Sequence, residues 1–199
     1  RNPLLLGAIA ALMTVVVATL LVLALRLQPI RRVRGAVALA NLGYALPGSV
    51  LAVGIMFFFS FLDNNLVVPL RTWLGAANPA PVLLGGLFAL LLAYLIRFMA
   101  VAYGPLDTSL ARIRPVFWRV YVPLLLPGIL SAALLVFVDV LKEMPATLLM
   151  RPFGWDTLAV RIHALTSEGE WRRASLPALT LVLVGLAPVI VLIRRSARR

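Results

Sequence analysis

Several apolar stretches of this chain reach the about 17–25 residues that an α-helix needs to cross the hydrocarbon core of a membrane. Of its 199 residues, 62% are hydrophobic and only 13% are charged, and the mean hydropathy is +1.02. A soluble domain of this length does not need so much apolar sequence. The fold class predicted is therefore an all-α polytopic membrane protein, organised as a single transmembrane domain over residues 1–199.

Hydropathy and turn residues predict five membrane-spanning helices and one short outer helix. Leu158, Ile162 and Leu165 recur at helical spacing, which predicts a short helix lying at the outer interface or tucked into the bundle. The second span contains Pro47 and Gly48. The predicted spans cover 3–25, 35–61, 82–101, 124–141 and 171–193.

The arginines predict the orientation of these helices. The formal charge is +12, and the basic residues cluster at the ends of predicted spans rather than on a polar face interleaved with aromatic residues, so nucleic-acid binding is not expected. Basic residues accumulate on the cytoplasmic side of membrane proteins and contact anionic lipid there. A multi-pass protein of a bacterial inner membrane with a cytoplasmic C-terminus is predicted. The clusters are Arg26, Arg31, Arg32 and Arg34; Arg112, Arg114 and Arg119; and Arg194, Arg195, Arg198 and Arg199.

Several chemistries have no basis in this sequence. Cysteine is absent and histidine occurs once, at His163, so thiol chemistry and a histidine-based metal cage are excluded within this chain. The sequence has no phosphate-binding loop of the G-x-x-x-x-G-K-[ST] type and no spacing typical of a hydrolase. We expect a chain that is not an enzyme and holds no cofactor.

A charged cluster closes the fourth predicted span. Asp139, Lys142 and Glu143 are spaced so that they share one helical face. They form either a self-neutralising surface cluster at the outer end of the helix or the polar lining of a translocation pathway, where Asp139 and Glu143 are candidates to attract a hard cation transiently. Pro47 is either a simple kink or a gate hinge on the same pathway.

The stretch 103–123 predicts a docking element on the basic side. Gly104 and Pro105 are expected to end the third span, and Pro105 suits the first turn of a new short helix. Leu106, Leu110 and Ile113 would form an apolar stripe on that helix. From physical reasoning alone, a partner-docking helix and an ordinary interfacial loop remain equal alternatives.

Four segments resemble permease subunits of type I ABC importers, and in particular the C-terminal half of ferric-iron permeases. Val120–Gly128, with its two prolines, resembles the exit of the loop that receives force from an ATPase. The other segments are Gly-Tyr-Ala-Leu-Pro-Gly at 43–48, Phe-Val-Asp-Val-Leu-Lys-Glu-Met-Pro-Ala-Thr at 137–147, and Arg-Pro-Phe-Gly-Trp-Asp-Thr-Leu-Ala-Val at 151–160.

The resemblance implies a MetI-like permease fold and a set of partners. These are a dimer of ABC ATPases that bind ATP and magnesium, a periplasmic or lipid-anchored binding protein that delivers ferric iron, and a second permease half, either fused or separate. It also implies an ATPase-coupling role for a set of residues on the basic side. The set is Leu106, Arg112, Trp118, Arg119, Pro123, Pro127 and Gly128.

One feature of the family is missing from this sequence. The Glu-Ala-Ala helix that precedes the loop exit is not present between Ala111 and Trp118, so either the loop is degenerate or a segment near 114–116 has been omitted; we expect omission, because both flanks match. Permeases for thiamine, polyamines or phosphonates have related loops. An ion-coupled secondary transporter and a non-transporting scaffold are the alternatives from other classes.

Overall fold

The computed structural model describes residues 2–76, 81–110 and 118–196, without side chains for 118–124 and for a few positions near the end of the chain. Within these ranges the secondary structure is helical, with no strand. The helices are α1 (Asn2–Leu27), α2 (Arg31–Leu42), α3 (Gly48–Leu62), α4 (Val68–Trp73), α5 (Leu87–Leu110), α6 (Trp118–Lys142), α7 (Pro145–Met150), α8 (Leu158–Ser167) and α9 (Trp171–Ser196).

Four helical runs in the described part of the chain have the length and hydropathy of a membrane span. They are Pro3–Leu27, Gly48–Trp73, Leu87–Leu110 and Leu125–Lys142. The second is continuous because a π-helical turn at Asp63–Val67 joins α3 to α4. The polytopic helical class is therefore confirmed. The last predicted span coincides with the 26-residue helix α9, and its crossing of a membrane stays a prediction.

The core is built by α1, α5 and α6, which pack against one another. Small residues on each helix are almost fully buried and let the backbones approach closely, as is usual where lipid replaces water around a bundle. Large side chains such as Tyr94, Leu90 and Leu106 fill the remaining space. The buried small residues include Ala10, Ala18, Ala89, Ala93, Ala102 and Ala132.

The remaining helices surround this core. α3 packs against α5 and α7, while α9 packs against α6 and α8. At one end of the bundle, Arg26 Nη2 lies 2.7 Å from Asp107 Oδ1 and so joins the ends of α1 and α5. We call this the basic end, because Arg31, Arg32 and Arg34 follow directly on α2.

The second predicted span, 35–61, is wrong as a single helix. A short 3-10 turn at Gly43–Ala45 follows α2, and the chain is then extended at Leu46, with φ −79° and ψ 137°. Proline disfavours helical backbone in the residue before it, so Pro47 separates α2 from α3. The membrane-spanning run begins only at Gly48.

The predicted end of the third span at Gly104 and Pro105 is also wrong, because α5 continues to Leu110 with Pro105 inside it. Proline is tolerated inside helices of a membrane bundle, where neighbouring groups compensate for the lost hydrogen bond. α6 also differs from its prediction, because it begins at Trp118 rather than at 124. Pro127 therefore lies inside this helix, well beyond its first turn. The proposed join near 114–116 falls outside the described residues.

The start of the third span is later than predicted because of Asp63. Its carboxylate accepts hydrogen bonds from the backbone N–H groups of Val82, Leu83 and Leu84, at 2.8–3.1 Å. These amides bend around the carboxylate instead of opening a helix. The short helix predicted between the last two spans is present as α8, and α7 precedes it; its position on the outer side stays a prediction.

Candidate functional site at two helix breaks

The first break separates α2 from α3 and lies against α5. A β-carbon on Gly43 would collide with the backbone carbonyl of Ile96, so only glycine lets the 3-10 turn pack this closely. The extended conformation of Leu46 leaves its carbonyl without a helical partner. Open backbone at this depth of a membrane protein is tolerated where another part of the protein satisfies it or where it lines a water-filled cavity.

The second break separates α6 from α7. α6 ends at Lys142, Met144 has φ −107°, and Pro145 opens α7. Glu143 lies in this break and is only 6% exposed. Its Oε1 accepts a hydrogen bond from the N–H of Ala146 at 3.2 Å, so its carboxylate caps the start of α7 and balances the partial positive charge there.

Arg97 of α5 bridges the two breaks. Its Nε donates a hydrogen bond to Glu143 Oε2 at 2.9 Å, and its Nη1 donates another to the carbonyl oxygen of Leu46 at 2.8 Å. The planar guanidinium suits this arrangement, because its donors point in fixed and different directions. One side chain therefore satisfies both the carboxylate of one break and the open carbonyl of the other.

The bridge lies near the middle of α5. Arg97 follows the start of α5 by ten residues and precedes its end by thirteen, which correspond to about 15 Å and 20 Å along a helix axis. It is the single charged residue of the sequence between Leu87 and Leu106. Charges at this depth are costly and mark functional sites more often than structural ones.

Polar side chains extend the network to α8. The hydroxyl groups of Thr147 and Thr157 both donate to the carbonyl oxygen of Glu143, at 2.8 and 2.9 Å. Thr157 also accepts from the N–H of Val160 and so caps α8, while Thr147 lies 2.6 Å from the hydroxyl of Tyr94. The network fixes the backbone around Glu143 from three sides.

Comparison with known proteins identifies relatives of this chain. No family model matches it. The chain is 27% identical over 164 residues to the Fe(3+)-transport system permease protein FbpB 2 of Haemophilus influenzae, which covers 75% of the chain and 29% of the relative. It is 31% identical over 131 residues to the putative 2-aminoethylphosphonate transport system permease protein PhnV of Salmonella typhimurium, covering 58% of the chain and 49% of the relative.

The chain is a homologue of these transport-system permeases. The similarity confirms the resemblance to iron-type ABC permeases that the sequence motifs predicted. The chain spans less than half the length of the curated relatives it matches.

Three of the predicted pathway residues of this permease homologue lie at or beside the network. Glu143 is its centre, and Pro47 follows the carbonyl that Arg97 binds. Asp139 is half-buried one turn before Glu143. Lys142 is exposed and approaches α9, where a β-carbon on Gly185 would lie 3.5 Å from its Cε.

The structure corrects the predicted position of this cluster. The sequence placed Asp139, Lys142 and Glu143 at the outer end of a span, with a self-neutralising surface cluster as one alternative. Glu143 instead pairs with an arginine in the middle of α5, because α6 stops at the break before Pro145 and α7 continues beyond it. Glu143 is thus part of a buried bridge rather than of an exposed patch.

The predicted coupling residues fall into three groups. Leu106 is fully buried in the core, and its coupling role stays a prediction. A β-carbon on Gly128 would lie 3.0 Å from the carbonyl oxygen of Pro105 and would collide with the Ser109 side chain, so Gly128 and the preceding Pro127 mark a close contact of α6 with α5. Arg112 lies outside the described residues, as do the side chains of Trp118, Arg119 and Pro123.

The sequence reasoning did not find Arg97. A signal was present in the sequence, since a lone arginine in a long apolar run is a candidate functional residue. The network also makes Glu143 less available as a cation ligand, because both of its carboxylate oxygens accept hydrogen bonds from the protein. In the described part of the chain, no group of three or more His, Cys, Asp and Glu side chains is placed to hold a metal ion.

Proposed function

We propose that this chain is one membrane-spanning half of an ABC importer and that the importer moves ferric iron into the bacterial cytoplasm. A periplasmic or lipid-anchored binding protein delivers the ion, and two ATPase subunits, which bind ATP and magnesium, drive the cycle. The second permease half is fused or separate. The observation that carries the proposal is the similarity to two transport-system permeases over 58–75% of the chain.

The proposed force path runs along α5 and α6. The basic end of the bundle would be cytoplasmic, in agreement with the positive-inside rule, and the C-terminus would lie on the same side. A coupling segment formed by Leu106, Arg112, Trp118, Arg119, Pro123, Pro127 and Gly128 would receive the movement of the ATPases. The tight contact of Gly128 with Pro105 supports this route, because two helices that touch backbone to backbone move together.

The proposed translocation path passes the two helix breaks. Farther along, α5 carries Arg97 and α6 leads directly to Glu143, so a displacement at the basic end reaches this layer through rigid helices. Asp139, Lys142, Glu143 and Pro47 are its proposed lining. Asp139 is the carboxylate best suited to contact a passing hard cation, since Glu143 is already bonded within the protein.

Import of an organic phosphonate is the second candidate function. It is favoured by the similarity to the 2-aminoethylphosphonate permeases of Salmonella. The charges near the two breaks do not favour either substrate, because Arg97 and Lys142 balance Asp139 and Glu143. The substrate therefore has to be assigned by transport rather than by the charge of the path.

A gene deletion separates the two substrates. If the proposal holds, deletion cells lose growth on ferric iron as the sole iron source and keep growth on 2-aminoethylphosphonate as the sole phosphorus source, and uptake of labelled ferric iron falls to background. The reverse pattern assigns the permease to phosphonates. Normal growth and uptake under both conditions would contradict an importer for either substrate.

Coupling is tested by alanine variants of Trp118 and Arg119 in the complemented strain. We expect ATP hydrolysis to continue while uptake falls several-fold, because the variants disconnect the ATPases from the helices. Asp139→Asn provides the comparison for the path and should slow uptake without changing the basal ATPase rate. Uptake at wild-type rates in all three variants would remove these residues from the proposed roles.

A further inference from the structure

An ion pair between the buried Glu143 and the part-buried Arg97 joins α5 to the breaks before α3 and α7. The side chain of Arg97 is 19% exposed and that of Glu143 is 6% exposed. Two well-packed apolar residues would hold such a position about as well as a buried ion pair, because desolvation offsets most of the attraction between the charges. The charges at this position therefore point to a task other than stability.

The two breaks are in direct contact in this structure. A β-carbon on Gly48 would lie 2.5 Å from Glu143 Oε1 and 3.3 Å from the guanidinium carbon of Arg97. The start of α3 therefore lies directly against the α6–α7 break. A path between α3 and Glu143 requires α3 to move away from Glu143.

We infer that Arg97 is a positioning residue that locks the two helix breaks together, and that the layer opens when one of its two hydrogen bonds is broken. The inference rests on the proposed function, because it assigns the lock to the transport path. The bond to Leu46 connects the lock to α3, and the bond to Glu143 connects it to α6 and α7. Separation of α3 from α7 therefore has to break one of these bonds.

A lysine at position 97 distinguishes a lock from a simple ion pair. Lysine keeps the positive charge beside Glu143, but its single ammonium group lacks the planar fork that reaches both acceptors. Loss of one hydrogen bond to a charged group shifts an equilibrium by about ten- to a hundredfold. Arg97→Lys is therefore expected to populate the open layer without nucleotide, while the protein remains folded.

The experiment measures the distance between α3 and α7 in the full-length permease, reconstituted with its ATPase and binding protein. This chain contributes no cysteine, so once any cysteine in the rest of the permease has been replaced, spin labels can be attached at Val50→Cys and Leu149→Cys. Both positions are exposed, lie on helices that pack together, and take no part in the network. Pulsed electron resonance gives the distance distribution without nucleotide and with ATP and vanadate.

The wild-type complex should show one short distance without nucleotide and a longer one with ATP and vanadate. Arg97→Lys should already show the longer distance without nucleotide, at least tenfold more populated than in the wild type. Arg26→Lys is the matched control, since Arg26 also pairs with a carboxylate, that of Asp107 on α5, but at an exposed position, and it should behave as the wild type.

Glu143→Gln keeps the inference testable if Arg97→Lys does not fold, because it removes one charge of the lock and retains the shape of the side chain. It should show the longer distance without nucleotide as well. Wild-type distributions in the folded variants under both conditions would overturn the lock. A wild-type distance that never responds to ATP would instead contradict the ATP-driven function, and the lock would then be judged on the nucleotide-free samples alone.

Discussion

Replacing both members of the buried ion pair should cost far less stability than replacing either one. Arg97→Met alone leaves Glu143 charged and unpaired at a site that is 6% exposed. Glu143→Leu alone leaves Arg97 charged and unpaired at a site that is 19% exposed. Each single change is expected to lower the free energy of unfolding by about 3–5 kcal/mol. The double variant loses the pair as a whole, and its main remaining cost is the unsatisfied carbonyl of Leu46, about 1–3 kcal/mol.

The double-mutant cycle therefore predicts a coupling energy of at least about 3 kcal/mol between positions 97 and 143. Unfolding of the four proteins by SDS in mixed micelles, followed by helical circular dichroism, measures it. The matched cycle replaces Arg26 and Asp107, whose side chains are 34% and 40% exposed, and should give less than about 1 kcal/mol. Additive effects at 97 and 143, within about 0.5 kcal/mol, would refute the buried bridge.

Two further substitutions test the packing of α6 on α5 and the loop before α5. Gly128→Ala should lower the free energy of unfolding by about 1–3 kcal/mol, because its β-carbon meets α5. The control Gly104→Ala faces open space and should leave the free energy of unfolding unchanged or slightly higher. Equal effects of the two variants in the same micelle titration would contradict the close contact. Asp63→Asn should lower the free energy of unfolding by about 1–3 kcal/mol, because it places an amide donor against backbone donors such as the N–H of Leu83. Asp107→Asn, measured alongside, should lower it by less. An unchanged free energy of unfolding in Asp63→Asn would argue against the hydrogen bonds between Asp63 and these amides.

The membrane-spanning class could be predicted because it depends on composition alone. Long apolar runs have few folded alternatives in water or lipid, and four of them are spans in the described structure. The family could be predicted for a different reason. Its motifs are short and local, so they survive in the sequence whatever the tertiary packing around them.

The positions of the helix breaks could not be predicted from proline alone. Pro105 and Pro127 lie inside continuous helices, whereas Pro47 and Pro145 accompany breaks. The difference comes from the surroundings: at Pro47 the freed carbonyl of Leu46 meets Arg97, which is 51 residues away in the sequence. A local pattern contains no information on such a partner.

The candidate site was found in part. Spacing brought Asp139, Lys142 and Glu143 to one helical face, but their position at the end of a long apolar run suggested the outer surface of the membrane. Arg97, the partner that places Glu143 inside the bundle instead, is 46 residues away in the sequence. The residues that would complete the coupling segment, from Ala111 to Phe117, lie outside the described structure.

The proposed function is tested most directly by ATP-driven uptake with purified components. The full-length permease is isolated from its own membrane together with any ATPase that remains bound, and is reconstituted into vesicles with the binding protein. We predict that labelled ferric iron accumulates inside the vesicles only when ATP is supplied to the ATPase side. Accumulation driven by an ion gradient without ATP, or no accumulation with an active ATPase present, would contradict the account.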